Sequence, residues 1–296
     1  MDILKINELE VKNNLKLIGL ISLALVFFAS NSVLARMAIS TQNIDAFSFT
    51  FLRIFSATAV LSLVYLYKNR NLKIDLKTNY LSGFMFFLYA ICFSYSYINM
   101  LAGIGTLILF AVVQLSMIIM ALFSNEKLSV KKVIGIAIAF GGLLYLLYPR
   151  NDFSISYFHT FLMFLSGLGW AIFSVLGKKS QNATLNATDS LFKALFFALI
   201  FGIFYILFFL NTLKIDFLTS IMAIVSGSIT TAFGVFIWYA VLPKIQIITA
   251  SIIQLIVPII GIFLSILLLD EEVTFDLVVS TILILLGIFL ALKKRK

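Results

Sequence analysis

Groups able to do chemistry are scarce in this chain and sit among apolar neighbours. There is one histidine, His159, and one cysteine, Cys92. No His/Cys/Asp/Glu cluster has metal-ligand spacing, no glycine-rich loop cradles a phosphate, and no Ser/His/Asp set can be assembled. The sequence therefore argues against an enzyme and implies no cofactor and no metal. What remains is a set of isolated polar side chains inside long apolar stretches: Asn31, Arg53, Gln114 and Gln254. In hydrocarbon such groups need partners. They either join helices by hydrogen bonds or line a path for a small polar solute.

Arg53 carries the most information. It falls about seven residues into an apolar segment, roughly 10 Å deep at 1.5 Å per residue, where a cation is costly unless it faces protein, water or headgroups. It either attracts a carboxylate or phosphate group on a solute, balances a helix end, or snorkels to the interface. Lys193 lies at a comparable depth and four residues after Asp189, the spacing of an ordinary helical ion pair. Arg36 and Lys178 read as helix-end anchors. No Asp or Glu is expected deep in any span, and His159 falls at the edge of one.

Hydroxyls and rings at Ser94, Tyr95, Ser96 and Tyr97, with Thr230, Thr231, Trp238 and Tyr239, offer a surface to an amphipathic solute. Trp238 and Tyr239 fit an interfacial aromatic belt equally well. Pro258 removes one backbone hydrogen bond and should bend its span. Gly261 three residues on completes a plausible gating hinge.

These residues must be positioned by elements suited to lipid. Of 296 residues 62% are hydrophobic and only 12% charged, where soluble chains carry about a quarter charged; the mean hydropathy is +1.10. An all-α integral membrane protein follows. Ten transmembrane helices are predicted at about 15–36, 46–66, 79–98, 102–123, 132–149, 155–177, 190–210, 217–240, 246–269 and 275–292. The uncharged stretch 78–125 must be broken once, and Gly103 and Gly105 make Asn99 to Gly105 the best place for a turn. Gly103 and Gly105, Gly141 and Gly142, and Gly167 and Gly169 also permit close helix approach.

An even number of spans puts both termini on one side. Of the 22 lysines and arginines, Arg150 and Lys214 alone then fall in outer loops, while Arg36, Arg53 and Lys193 lie at or within helix limits. The others, including Lys68, Lys73, Lys77, Lys127 and the Lys293 to Lys296 tail, collect on the inner side. The positive-inside rule makes that side cytoplasmic, so the expectation is a multi-pass protein of the inner (plasma) membrane with both termini in the cytoplasm. Basic residues scattered this way anchor helices to lipid and do not form a nucleic-acid surface.

The two halves resemble one another. Phe28-Ala29 followed by Ser32 to Arg36 is echoed by Trp170-Ala171 followed by Ser174 to Lys178; Glu126-Lys127-Leu128-Ser129 is echoed by Glu271-Glu272-Val273-Thr274, and Gly142 by Gly287. Residues 1–149 and 150–296 thus read as two five-helix repeats. An odd number of spans per repeat makes them inverted, the arrangement behind alternating access in many transporters.

On those residues the chain resembles the EamA-type branch of the drug/metabolite transporter superfamily over nearly its whole length. Trp170, Lys178, Pro258 and Glu271 to Thr274 match in the second half, and Asn31, Arg36, Arg53 and Glu126 to Ser129 in the first. Phe28 stands for the usual Trp. Val113 replaces a common proline, which should leave the fourth helix straighter than the ninth, and Asn125 and Asp270 stand for the usual glycine before the glutamate. The resemblance implies a secondary transporter, monomeric or homodimeric, that exports an amino acid or related metabolite. It also adds Trp170 to the candidate path. Two alternatives remain open: an importer or exchanger of a nucleoside-bearing cofactor such as S-adenosylmethionine, and a membrane scaffold that transports nothing.

Overall fold

A computed structural model of the protein describes residues 2–70, 79–124, 129–147, 156–209, 213–272 and 274–292, and no strand occurs among them. Ten helical segments follow one another: α1 (Asp2–Ile39), α2 (Ala46–Asn69), α3 (Tyr80–Ser96), α4 (Ala102–Phe123), α5 (Val130–Leu147), α6 (Tyr157–Lys178), α7 (Ala183–Phe209), α8 (Phe217–Val225, then Ser226–Thr231 and Ala232–Val241), α9 (Ile247–Gln254 and Ile256–Leu269) and α10 (Phe275–Leu292). Seven of the segments are long and apolar enough to cross a membrane, and α3 is a shorter apolar helix. Lys73, Lys77, Glu126, Lys127, Arg150 and the Lys293 to Lys296 tail lie outside the described residues.

Large apolar side chains face outward as well as forming the core, and several polar groups are buried. Leu199, Ile200, Ile203, Phe204, Leu207 and Phe208 line an exposed face of α7, whereas Asn31, Arg53, Gln114, Asp189 and Gln254 are buried. Helices suit this setting because they satisfy their own backbone groups where water is absent. Their ends are closed by side chains: Asp45 accepts from the Ser48 N–H at the start of α2, and Asn182 accepts from the Leu185 N–H at the start of α7. Between spans, Glu271 accepts the Ala102 and Gly103 N–H groups at 2.8 and 3.2 Å, placing a carboxylate at the positive end of α4.

Contacts recur between the halves. α3 packs on α6 as α8 packs on α1; α4 packs on α6 as α9 packs on α1; α3 packs on α7 as α8 packs on α2. The pairs α2–α7, α4–α9 and α5–α10 also touch. Arg36 donates to the Tyr97 and Ile98 carbonyls just past α3, and Lys178 donates to the Ile245 carbonyl just past α8. The two expected anchors are thus ties from the first helix of a half to the end of the third.

Several expectations need correction. Gly103 and Gly105 do not form the turn; they lie inside α4, where an added Cβ would meet Ile262 at 3.2 Å and Tyr97 at 2.6 Å respectively. Their smallness serves helix packing, and residues 97–101 make the turn. Gly142, Gly167 and Gly169 do sit at close helix contacts, but Gly141 has nothing within 4 Å of a built Cβ. α7 begins seven residues earlier than expected, because the polar stretch ahead of Ser190 is helical and turns Thr184, Thr188 and Asp189 inward. Asp189, near the start of this helix, is 1% exposed, an acid buried in the protein that the shorter expected span left outside.

Proline acts as read. Pro258 has no N–H to give the Gln254 carbonyl, and α9 breaks at Leu255, whose N–H turns back to the Ile252 carbonyl at 3.1 Å. α4, with Val113 at the corresponding place, is continuous. α8 holds a feature no residue pattern announced: a π segment, Ser226–Thr231.

Candidate functional site

A buried polar seam runs between the halves, and one part of it is built around Asn31 and Arg53. The Asn31 Oδ1 accepts hydroxyls from Ser226 at 2.8 Å, Thr231 at 3.3 Å and Thr230. All three donors sit on the π segment, whose wider turn, common at functional positions, brings them to one acceptor. Thr231 Oγ1 in turn accepts from Arg53 Nε at 2.9 Å, while Arg53 Nη2 donates to the Tyr89 hydroxyl at 2.8 Å. The guanidinium lies over the rings of Tyr89 and Phe93, 5.2 and 5.0 Å from their centroids.

Arg53 is 1% exposed, so it does not snorkel. Its Nη1 has no hydrogen-bond partner, and its partners are neutral hydroxyls and rings. α8 comes this close to α2 only because residue 227 is glycine: a Cβ there would fall 1.9 Å from Ser56 Oγ and 2.2 Å from the Arg53 carbonyl.

Aromatic rings carry the seam onward. Tyr89 packs on Trp170 at 4.9 Å, and Phe28 meets Trp170 edge-on at 4.8 Å and Trp238 at 5.7 Å. Trp170 Nε1 donates to Gln254 Oε1 at 2.8 Å, so Gln254 holds the ring from the helix that carries the break. Trp238 donates to Ser174 Oγ at 3.2 Å. Trp238 and Tyr239 are both buried, with 0% and 1% exposure, and no aromatic belt is formed by them.

At the other end Tyr239 shares a 3.1 Å hydrogen bond with Ser82, which accepts from Ser190 at 2.9 Å. Here α3 crosses α7 at Gly83, whose added Cβ would fall 2.3 Å from Lys193 Cβ. Lys193 pairs with Asp189, and Asn79 donates to the other carboxylate oxygen at 2.7 Å.

The structure thus brings Asn31, Arg53, Trp170, Trp238, Tyr239 and Gln254 into one seam. It does not bring Tyr95 there. Tyr95 lines a separate cavity of about 790 Å³ with Phe201, Tyr205 and Phe209, beside Asp45 and Lys214. The Tyr97 hydroxyl lies 3.4 Å from Thr106 Oγ1. Gln114 is buried on α4. Gly261 packs against Thr106, 3.2 Å from a built Cβ, and Pro258 marks the break beside Gln254. His159 bonds Ser156 and Asn99 at the start of α6, away from the seam.

Sequence reasoning missed Tyr89 and Ser226, whereas the Asp189–Lys193 pair is the one its spacing predicts. A signal existed for two crossings, since Ser82-Gly83 and Ser226-Gly227 repeat the same pair in the third helix of each half. The departure at Asp270 also has a reason: its φ is +51°, a conformation glycine takes freely and Asp tolerates better than most.

A solved crystal structure of a protein aligns over 92% of this chain and 97% of its own, with a TM-score of 0.68 at 17% identity. That likeness shows a shared fold. Among curated proteins, the uncharacterized protein PA1977 of Pseudomonas aeruginosa is 34% identical over 273 residues, covering 92% of this chain and 93% of its own. The uncharacterized transporter YoaV of Bacillus subtilis is 22% identical, covering 93% and 95%. An uncharacterized transporter of Archaeoglobus fulgidus is 26% identical, covering 66% and 69%. The sequence profile of the EamA-like transporter family matches twice, over residues 15–148 and 158–293. With both halves of a helical membrane chain matched, the protein belongs to the EamA-like transporter family.

Proposed function

We propose that this protein is a secondary transporter that moves a small organic solute, an amino acid or related metabolite, out of the cell across the inner membrane by alternating access. The observation that carries the reading is the exchange of contacts between halves, α3–α6 with α8–α1 and α3–α7 with α8–α2, around a buried seam of polar groups. Two inverted five-helix repeats produce such an exchange, and the twofold family match supports them.

In this reading the seam is the path, and its two ends close by different chemistry. The outer end is held by Asn31, Arg53, Thr231 and Tyr89, and the inner end by Asp189, Lys193, Ser82 and Tyr239. The break beside Pro258 gives α9 a place to flex next to Gln254 and Trp170. The distribution of lysines supports cytoplasmic termini.

The test is flux from proteoliposomes loaded with a panel of metabolites. Movement of at least one solute above empty vesicles, with loss in Gln254→Ala at normal abundance, is expected. Folded protein that moves no solute would sink the reading and leave the scaffold alternative.

A further inference from the structure

We propose that the free edge of the Arg53 guanidinium, at Nη1, is the docking point for a carboxylate on the transported solute, and that the preferred solute is an apolar or aromatic monocarboxylate. This deepens the transport reading and rests on it.

A guanidinium presents five N–H donors and has no means of shedding its charge. Arg53 uses Nε on Thr231 and Nη2 on Tyr89, while Nη1 has no partner. At 1% exposure Nη1 is covered in this conformation, so a solute reaches it when the seam opens. Leaving a buried cation in this state is costly against solution, which a structural role alone does not require. Arg36 shows the ordinary solution, spending its Nη1 on the Tyr97 and Ile98 carbonyls.

The pocket compensates Arg53 only in part. Two hydroxyls and two ring faces stabilise a cation without neutralising it. Asp189, the buried acid among the described residues, belongs to Lys193. The missing component is one negative charge.

Its chemistry follows from the surroundings. A planar carboxylate fits the edge of a guanidinium, and a single charge balances a single cation where a phosphate dianion would leave one in excess. Tyr89 and Phe93 cover the guanidinium faces, and Tyr89 continues into Trp170 and Phe28. A solute held at Nη1 finds apolar aromatic surface for the rest of its body.

The experiment measures thermal unfolding of the purified protein with 3-phenylpropionate and with 3-phenylpropionamide, which share shape and differ in charge, and with inorganic phosphate. The acid should raise the unfolding temperature and the amide should not. Arg53→Gln should weaken the acid's apparent affinity by roughly thirty-fold or more, the effect of removing one partner of a buried charge pair, and Arg53→Lys should recover part of it. Equal response to acid and amide, an acid response that survives Arg53→Gln, preference for phosphate, or no response to the acid would each overturn the assignment. If Arg53→Gln does not fold, the acid-against-amide comparison on the unaltered protein decides alone. Vesicle flux separates this from the transport reading: movement indifferent to solute charge keeps transport and removes the Arg53 assignment, whereas charge-selective binding with no flux does the reverse.

Discussion

Two crossings in this molecule pose the same electrostatic problem and solve it differently. Where α3 crosses α7, Gly83 rests on Lys193, and where α8 crosses α2, Gly227 rests on Arg53. Each places a buried cation on the second helix of a half, against a glycine on the third helix of the other half. Lys193 finds Asp189 one turn back on its own helix, with Asn79 steadying the carboxylate. Arg53 finds hydroxyls and rings and keeps Nη1 unbonded. A cation neutralised by its own helix is complete as it stands, while one balanced only by dipoles still attracts an anion. The first crossing is built as a latch and the second as a receptor.

The largest expected effect follows from the latch. Asp189→Asn leaves Lys193 buried without a counter-charge, and breaking a buried pair in this way costs about 3–5 kcal/mol. A large fall in unfolding temperature is expected in detergent. Arg53→Met, by contrast, removes a charge and strands none; Thr231 keeps its hydrogen bond to Asn31, and the loss should be nearer the 1–3 kcal/mol of an unsatisfied polar group. Equal destabilisation by the two variants would mean that Arg53 is as fully compensated as Lys193, and the distinction between latch and receptor would disappear.

A middle-sized effect tests the crossings themselves. Gly227→Ala places a methyl 1.9 Å from Ser56 Oγ and 2.2 Å from the Arg53 carbonyl, and Gly83→Ala places one 2.3 Å from Lys193 Cβ. Overpacking of this kind costs about 1–3 kcal/mol, so both variants should unfold earlier. They should part company in ligand response. Gly227→Ala displaces the backbone of Arg53 and should blunt stabilisation by 3-phenylpropionate, whereas Gly83→Ala should leave it intact. Loss of that response in both would show that the whole seam moves as one body.

The spans were legible in the sequence because lipid imposes a simple rule, long apolar runs broken by charges, and the break in α9 was legible because Pro258 has a local mechanism. Arg53, Asn31, Gln254 and Trp170 stood out as polar or amphipathic groups without water. What could not be read came from tertiary contact. The π segment depends on Asn31 gathering three hydroxyls from a helix far along the chain, and nothing local in Ser226–Thr231 demands it. Asp189 looked like loop because its neighbours are polar, yet they are polar toward other helices. Tyr95 belonged to a run that looked uniform, but residues of a helix point in different directions at about 100° per step, and it turned to the separate cavity while Tyr89, six residues earlier, reached Arg53.

The smallest effect supplies the control that the comparison needs, because a glycine at a crossing must be told from a glycine that is merely in a helix. Gly141 and Gly142 are adjacent in α5, yet a Cβ at 142 would lie 2.8 Å from Leu283 Cβ and 3.0 Å from the Ser280 carbonyl on α10, while one at 141 meets nothing within 4 Å. Gly141→Ala therefore adds no contact to resist and removes backbone freedom from the unfolded chain, a gain of about 0.5–1 kcal/mol in a helix interior. Its unfolding temperature should match or slightly exceed that of the unaltered protein, with Gly142→Ala falling below it. If Gly141→Ala instead destabilised as much as Gly83→Ala or Gly227→Ala, loss of glycine alone would explain all three, and the close approach of α3 to Lys193 and of α8 to Arg53 would no longer be what those substitutions measure.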